Sequence, residues 1–253
     1  MNDRNLYNST RKAWEDIWDA ASVDVELQTS YYRRSIRGRN HYLPYLNQED
    51  VILEAGSGLS SALIPLREMG YKVVGVDYAL NSLHASRDHT PELALAGADI
   101  HHLPFADNSV GAYLSFGVLE HFEHGMHDAL VEAHRILKPD GIAVITIPYP
   151  NIVWKLAQWR RNQQGRQLID DSFYESTYTK DQLVSELTQA NFDVVASIPT
   201  SHSFTLWGLG GIFQGKGYYE TSDTAEFLGG IFSHIMPWTF NFMTMMIAQK
   251  PSA

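Results

Sequence analysis

The segment Ile52-Leu53-Glu54-Ala55-Gly56-Ser57-Gly58-Leu59 restricts the fold more than any other stretch of this chain. It is an apolar run that ends in an acid and two spaced glycines. About 20 residues later comes Val73-Val74-Gly75-Val76-Asp77, a second apolar run ending in an acid. Two such runs read as neighbouring parallel strands with their acids and glycines at the carboxyl ends. Glycines there let the backbone approach a bound molecule, and an acid after the second strand can hydrogen-bond two ribose hydroxyls. The pair therefore points to a nucleotide-sized ligand lying across the strand ends.

The following sequence keeps alternating between strand and helix patterns. Residues 51–54 and 72–77 are the first two strands. Between them a helix carries Leu59, Leu63, Leu66 and Met69 and stops at Gly70. A helix over 81–88, a short strand over 92–96 and a strand over 110–116 follow. A helix over 126–137 closes at Lys138-Pro139-Asp140-Gly141, and a fifth strand spans 142–147. Thr179 reads as the N-cap of a helix running to about residue 190. Strands over 192–198 and 240–248 complete the pattern. Such alternation predicts an α/β fold, a parallel sheet with helices on both faces.

At 253 residues the chain suits one large α/β domain with an elaborated cover. Its formal charge of −10 lacks the basic footprint that neutralises phosphates, so nucleic acid is not an expected partner. The absence of cysteine excludes disulfides, thiolate chemistry and cysteine-based zinc sites. The polar start, Met1-Asn2-Asp3-Arg4-Asn5, has no signal-peptide core, and a cytoplasmic enzyme is expected. Residues 227–249 contain no Asp, Glu, Lys or Arg. Gly229, Gly230, His234, Pro237 and Asn241 interrupt them, which favours a pocket-lining segment and a buried strand over a spanning helix.

Two regions lie outside the alternating pattern. Residues 9–46 read as helical, with Trp14 and Trp18 one turn apart on a face shared with Ile17 and Ala21. Residues 201–239 are aromatic and glycine-rich, too long for a structureless connection, and read as a functional cover.

Four segments, in order, resemble the class I S-adenosylmethionine-dependent methyltransferases, in particular their small-molecule branch. They are Glu54-Ala55-Gly56-Ser57-Gly58, Gly75-Val76-Asp77, the stretch from Ala98 through Leu103-Pro104-Phe105 to Ser109, and Gly117-Val118-Leu119-Glu120-His121-Phe122 with Leu137-Lys138-Pro139-Asp140-Gly141. The resemblance covers about residues 51–195. It implies a Rossmann-like, doubly wound, mostly parallel seven-stranded sheet with an antiparallel last strand. Residues 1–50 would be an N-terminal helical cover. Residues 51–253 would be the methyltransferase domain, with substrate-covering insertions at 149–178 and at 201–239, the latter a long lid between strands six and seven. All would form a single structural unit.

The implied cofactor is S-adenosylmethionine. Glu54, Gly56, Ser57 and Gly58 would cradle its methionine part, and Asp77 would bind the ribose. Tyr78 would pack along the adenine or ribose, or simply within the fold. Asp99 would accept from the adenine amino group, and the backbone of Ile100 would meet the ring edge. The backbone at Ser115 and Phe116 would face the amino end. Ser60 replaces the motif's third glycine, where it can still N-cap the next helix, and Asp140 replaces the first of two glycines before strand five. Two alternatives stand beside this reading. A dinucleotide oxidoreductase requires a third glycine where Ser61 stands, and it has no use for Leu-Pro-Phe. A non-catalytic methyltransferase-like partner subunit would keep the fold without turnover.

A sulfonium methyl is already electrophilic, so such an enzyme aligns a nucleophile and excludes water, with a base where the acceptor is a hydroxyl or an acidic carbon. His121, after strand four, and Tyr149, after strand five, are the catalytic candidates; each also reads as an ordinary packed ring. His121, His124 and His127 are poorly spaced for one metal, with Gly125 between them, and no metal is assigned. Eight of the 19 basic residues fall in two short groups: Arg33, Arg34, Arg37 and Arg39, then Lys155, Arg160, Arg161 and Arg166. Solvated helix faces would look the same. With Tyr32 and the lid's Trp207, Arg33 and Arg34 are the substrate candidates. A basic mouth beside an apolar lid suggests a small amphiphilic or anionic acceptor, such as a lipid-like compound or quinone precursor, with O- or C-methylation favoured.

Overall fold

The structure is a computed structural model that describes residues 3–153, 155–156 and 176–252, excepting the side chains of residues 3–10. Seven strands form one sheet: β1 (Val51–Ala55), β2 (Lys72–Asp77), β3 (Ala94–Gly97), β4 (Val110–Phe116), β5 (Leu137–Pro148), β6 (Asp193–Thr200) and β7 (Met243–Gln249). Their order is β3-β2-β1-β4-β5-β7-β6. The first five are parallel, and β7 runs antiparallel between β5 and β6. Since β5 and β6 both oppose β7, β6 ends at the same sheet edge as β1, β2 and β4.

The described helices are α1 (Asp3–Ala20), α2 (Val23–Ser30), α3 (Arg33–Tyr42), α4 (Leu63–Glu68), α5 (Leu80–His89), α6 (His127–Ile136), α7 (Lys180–Gln189), α8 (His202–Trp207) and α9 (Asp223–Ile235). Side-chain alternation along the strands feeds two cores. Leu53 and Tyr113 point to one face, among Leu130 and Ile136 of α6 and Leu183 of α7. Ile52 and Leu114 point to the other, among Leu63 and Leu66 of α4 and Tyr42 of α3. Burying each such Leu or Ile contributes roughly 1.5–3 kcal/mol. Among the described residues, no helix is long and apolar enough to cross a membrane.

Several local expectations are corrected. The helix after Gly58 starts at Leu63, four positions beyond the expected Leu59. Ser60, at φ +58°, is no N-cap: its hydroxyl is buried without a hydrogen-bond partner, and Ala62 precedes the helix without a side-chain cap. The stop at Gly70 is as read, with φ +89° and its N–H donating to Arg67 O at 2.9 Å. Thr179 caps α7, and Gln182 reaches back to the Thr179 N–H at 2.8 Å, a capping box.

The helical region near the N-terminus is divided into three, broken by the extended Ser22 and Tyr32. Asn81 of α5 holds α1 in place, its amide donating to Glu15 O at 2.8 Å and Asp19 Oδ1 at 2.7 Å. The 201–239 cover contains α8, α9 and a short 3-10 turn at Gly211–Phe213. Its glycines concealed that helical content. Most of the 149–178 insertion, with Arg160, Arg161 and Arg166, lies outside the described residues.

Candidate active site

The loop after β1 folds back over the sheet edge. Gly56 and Ser57 donate their N–H groups to Val76 O at 2.8 and 2.9 Å. Gly56 and Gly58 take φ +78° and +46°. A Cβ at Gly56 would stand 2.5 Å from a Val118 methyl, and one at Gly58 2.6 Å from the Trp18 ring. Both the torsions and the close approach therefore require glycine.

Asp77 ends β2 beside this loop. Its Oδ2 accepts from the Gly58 N–H and its Oδ1 from the Ala79 N–H, each at 2.8 Å. Burial raises the Asp77 pKa, opposed by the backbone N–H groups of Ala79, Gly58 and Tyr78. Glu54, at the end of β1, is 4% exposed and its Oε2 has no hydrogen-bond partner. Burial first, and the nearby Asp77 charge second, push its carboxyl well above the ordinary range.

These residues face a cavity of about 200 Å³. Glu54, Gly56, Ser57, Gly58 and Asp77 form one wall, with Tyr78 beside them. Asp99 and Ile100 contribute from the loop after β3, and Phe116 and Gly117 from the end of β4. Asp99 Oδ1 accepts from the His101 backbone N–H at 2.9 Å and lies 2.8 Å from the His101 ring Nδ1. That ring contact, ahead of the other contributions, holds the Asp99 carboxyl below its ordinary range. Ser115 is fully buried inside β4 and does not line the cavity, its side chain alternating to the sheet face opposite that of Phe116.

His121 does line the cavity, from the 3-10 turn after β4, and its ring meets Trp14 edge-on at 5.2 Å. Tyr149 does not. It follows β5 two strands away from the loop after β1, its ring 5.8 Å from Trp238 and its N–H bonded to Phe242 O. The substrate candidates also separate. Tyr32, Arg34 and the Phe204–Trp207 pair form one stack, with the Arg34 guanidinium 5.2 Å from the Tyr32 ring centroid and 4.7 Å from that of Phe204. Arg33 turns away to an exposed pair with Asp223 at 2.9 Å, which offers little to a ligand. None of the four lines this cavity.

Sequence reasoning missed part of the wall. Trp14 and Trp18 of α1, Glu26 of α2, and Val118 and Phe122 after β4 all face the cavity. The one-turn spacing of the tryptophans was the available signal. It identified their shared face but not what that face covers.

A glycine loop, an acid ending β2 and a reversed last strand define a Rossmann-like architecture of the nucleotide-cofactor kind. Residues 53–145 match the family model described as methyltransferase domain. Over 119 residues the chain is 34% identical to a demethylmenaquinone methyltransferase of Renibacterium salmoninarum, covering 47% of this chain and 48% of that one. Its counterpart from Paenarthrobacter aurescens is 37% identical over 101 residues, 40% and 38% of the two chains. The matched stretches thus span less than half of these relatives. Among solved structures, a methyltransferase of Haloferax volcanii in complex with the Trm112 activator superposes with TM-score 0.64 at 17% identity, covering 92% and 97%. A Methanosarcina mazei S-adenosylmethionine-dependent methyltransferase gives 0.60 at 17% identity, covering 83% and 96%. Residues 53–145 thus carry a methyltransferase domain, on a fold shared with S-adenosylmethionine-dependent methyltransferases.

Proposed function

We propose that the chain transfers a methyl group from S-adenosylmethionine to a small organic acceptor, amphiphilic or anionic, at oxygen or carbon. The observation that carries this reading is one cavity faced by the glycine loop, Asp77 and the orphaned Glu54 Oε2. Those groups suit a ligand rich in hydroxyl and ammonium donors. In this reading Asp77 accepts from the ribose hydroxyls and Glu54 from a donor in the methionine part. Asp99 and Ile100 meet the adenine, and Phe116 with Gly117 faces the amino end.

When bound, the cofactor supplies a methyl group on a positively charged sulfur. What remains for the protein is alignment and the exclusion of water. Trp14 and Trp18 form an apolar screen over the loop, and His121 is the group positioned to take a proton from an acceptor. Two curated relatives are named demethylmenaquinone methyltransferases, which supports carrying a quinone-like aromatic acceptor to this chain. Incubation with methyl-labelled S-adenosylmethionine and a panel of phenols, quinols and aromatic acids tests the reading. Label transferred to a small molecule is the expected result. Tight cofactor binding without transfer to any acceptor favours a non-catalytic subunit instead.

A further inference from the structure

A second cavity, of about 330 Å³, opens at the carboxyl end of β6, and none of its lining residues faces the first. Its walls come from three places. Arg34, Arg37 and His41 belong to α3. Thr200, His202 and Ser203 lie at the junction of β6 and α8. Gly229, Gly230 and His234 belong to α9. Its volume is at the lower end of the range for small organic ligands, above what one simple ion needs.

The lining is cationic and carries hydroxyls, with no carboxylate on it. Glu226 stands just behind, hydrogen-bonded to Arg37 and to the Thr221 hydroxyl. It pairs directly with Arg37 and acts on Arg34 only through space, so one carboxylate faces two guanidinium charges. Arg34 makes no ion pair with a carboxylate among the described residues, and its Nη1 is buried without a hydrogen-bond partner. It is held instead between the Tyr32 and Phe204 rings. A guanidinium with a desolvated, unpaired N–H group is costly unless something accepts from it. Carboxylate and phosphate oxygens match that fork geometry. His202 is less available, its Nε2 lying 2.8 Å from Pro237 O.

We propose that this second cavity is an oxyanion site that takes the carboxylate or phosphate group of a small organic molecule. Arg34 is the main partner and Arg37 the second. Two sources share this chemistry, the acidic end of the methyl acceptor and a separate acid. The first of these rests on the methyl-transfer reading, because β6 ends at the same sheet edge as β1 and β4. The site itself does not depend on that reading.

The test uses the whole chain and calorimetric titration with benzoate, phenyl phosphate and inorganic phosphate, against chloride at matched ionic strength. The expected result is saturable binding of at least one oxyanion. Arg34→Met should weaken it by about ten- to a hundredfold, the loss of one or two charge-assisted hydrogen bonds. Since Arg34 also packs between two rings, Gly230→Asp is the second variant. A Cβ at Gly230 meets nothing within 4 Å, so the change adds a negative charge to the wall with open space at its first side-chain atom. It should abolish oxyanion binding while S-adenosylhomocysteine affinity is unchanged. Transfer of labelled methyl to the bound acid assigns the site to the acceptor, and binding without transfer assigns it to a separate acid. The proposal is overturned if no probe binds beyond the chloride control, or if binding survives both substitutions. Loss of S-adenosylhomocysteine binding with oxyanion binding intact would count against the methyl-transfer reading alone.

Discussion

The backbone N–H of Gly58 donates to Asp77 Oδ2 at 2.8 Å, tying the loop after β1 to the end of β2. The second oxygen is held by the Ala79 N–H at the same distance. The carboxylate is therefore oriented before any ligand arrives, which lowers the ordering cost of binding. Asp77→Ala removes the proposed ribose acceptor and strands two N–H groups. It should weaken S-adenosylhomocysteine binding by about 1–3 kcal/mol and lower unfolding stability by a similar amount. Titration calorimetry and urea denaturation check the two effects separately.

Gly58 also faces Trp18, at 2.6 Å from the position a Cβ would take. Gly58→Ala combines that collision with a positive φ and should reduce cofactor affinity. Adding Trp18→Ala removes the collision but not the torsional strain. The double variant should recover part, and only part, of what Gly58→Ala loses. A double-mutant cycle on binding affinity reads the coupling.

Glu54 gives the ligand-free protein a pH signature. Its folded-state pKa is raised, by burial and then by Asp77. A raised acid contributes stability that is fully present below its unfolded pKa and is lost as pH rises through the folded value. Stability should therefore decline from about pH 4.5 upward, and Asp77, raised in the same direction, adds to the slope. Glu54→Gln should flatten the profile. Urea denaturation at a series of pH values measures this, and an unchanged slope would show that Glu54 is not the group responsible.

How far the sequence was legible depends on whether a feature is local. Glu54, Gly56, Gly58 and Asp77 could be placed because strand ends and glycine torsions are written within a few residues. The helix over 180–189 was equally readable from Thr179 and Gln182, a short-range cap. Ser60 misled because a serine before an apolar run suggests a cap, whereas the glycine loop forces it to φ +58°. The placement of Tyr149 and Arg33 was not legible for another reason. Their sequence positions are next to active-edge elements, but Trp238 and Asp223, far along the chain, decide where they point. The wall formed by Trp14 and Trp18 could not be assigned because its partners, Gly58 in the loop after β1 and His121 in the turn after β4, are far along the chain and no local pattern names them.

Thr179→Ala serves as a control for effects through the cofactor cavity. It removes the capping box of α7, remote from the glycine loop, and should cost about 1 kcal/mol of stability. Cofactor affinity should remain at the unmodified value. A fall in both would mean that α7 is coupled to the sheet edge more tightly than its packing indicates.

His121 faces the cavity with its ring against Trp14. If it takes the acceptor's proton, His121→Ala should lower kcat by about 10²–10⁴ and leave S-adenosylhomocysteine affinity unchanged. Equal losses in both would assign it to cofactor packing. Trp14→Ala should reproduce a smaller part of the kcat loss, since it frees the imidazole ring.

Titration calorimetry of the unmodified chain with S-adenosylmethionine, S-adenosylhomocysteine and NADH tests the central claim most directly. Saturable binding of the first two at one site, absence of NADH binding and loss of affinity in Asp77→Ala are the predicted results. NADH binding, or S-adenosylmethionine affinity that Asp77→Ala leaves unchanged, would contradict the account.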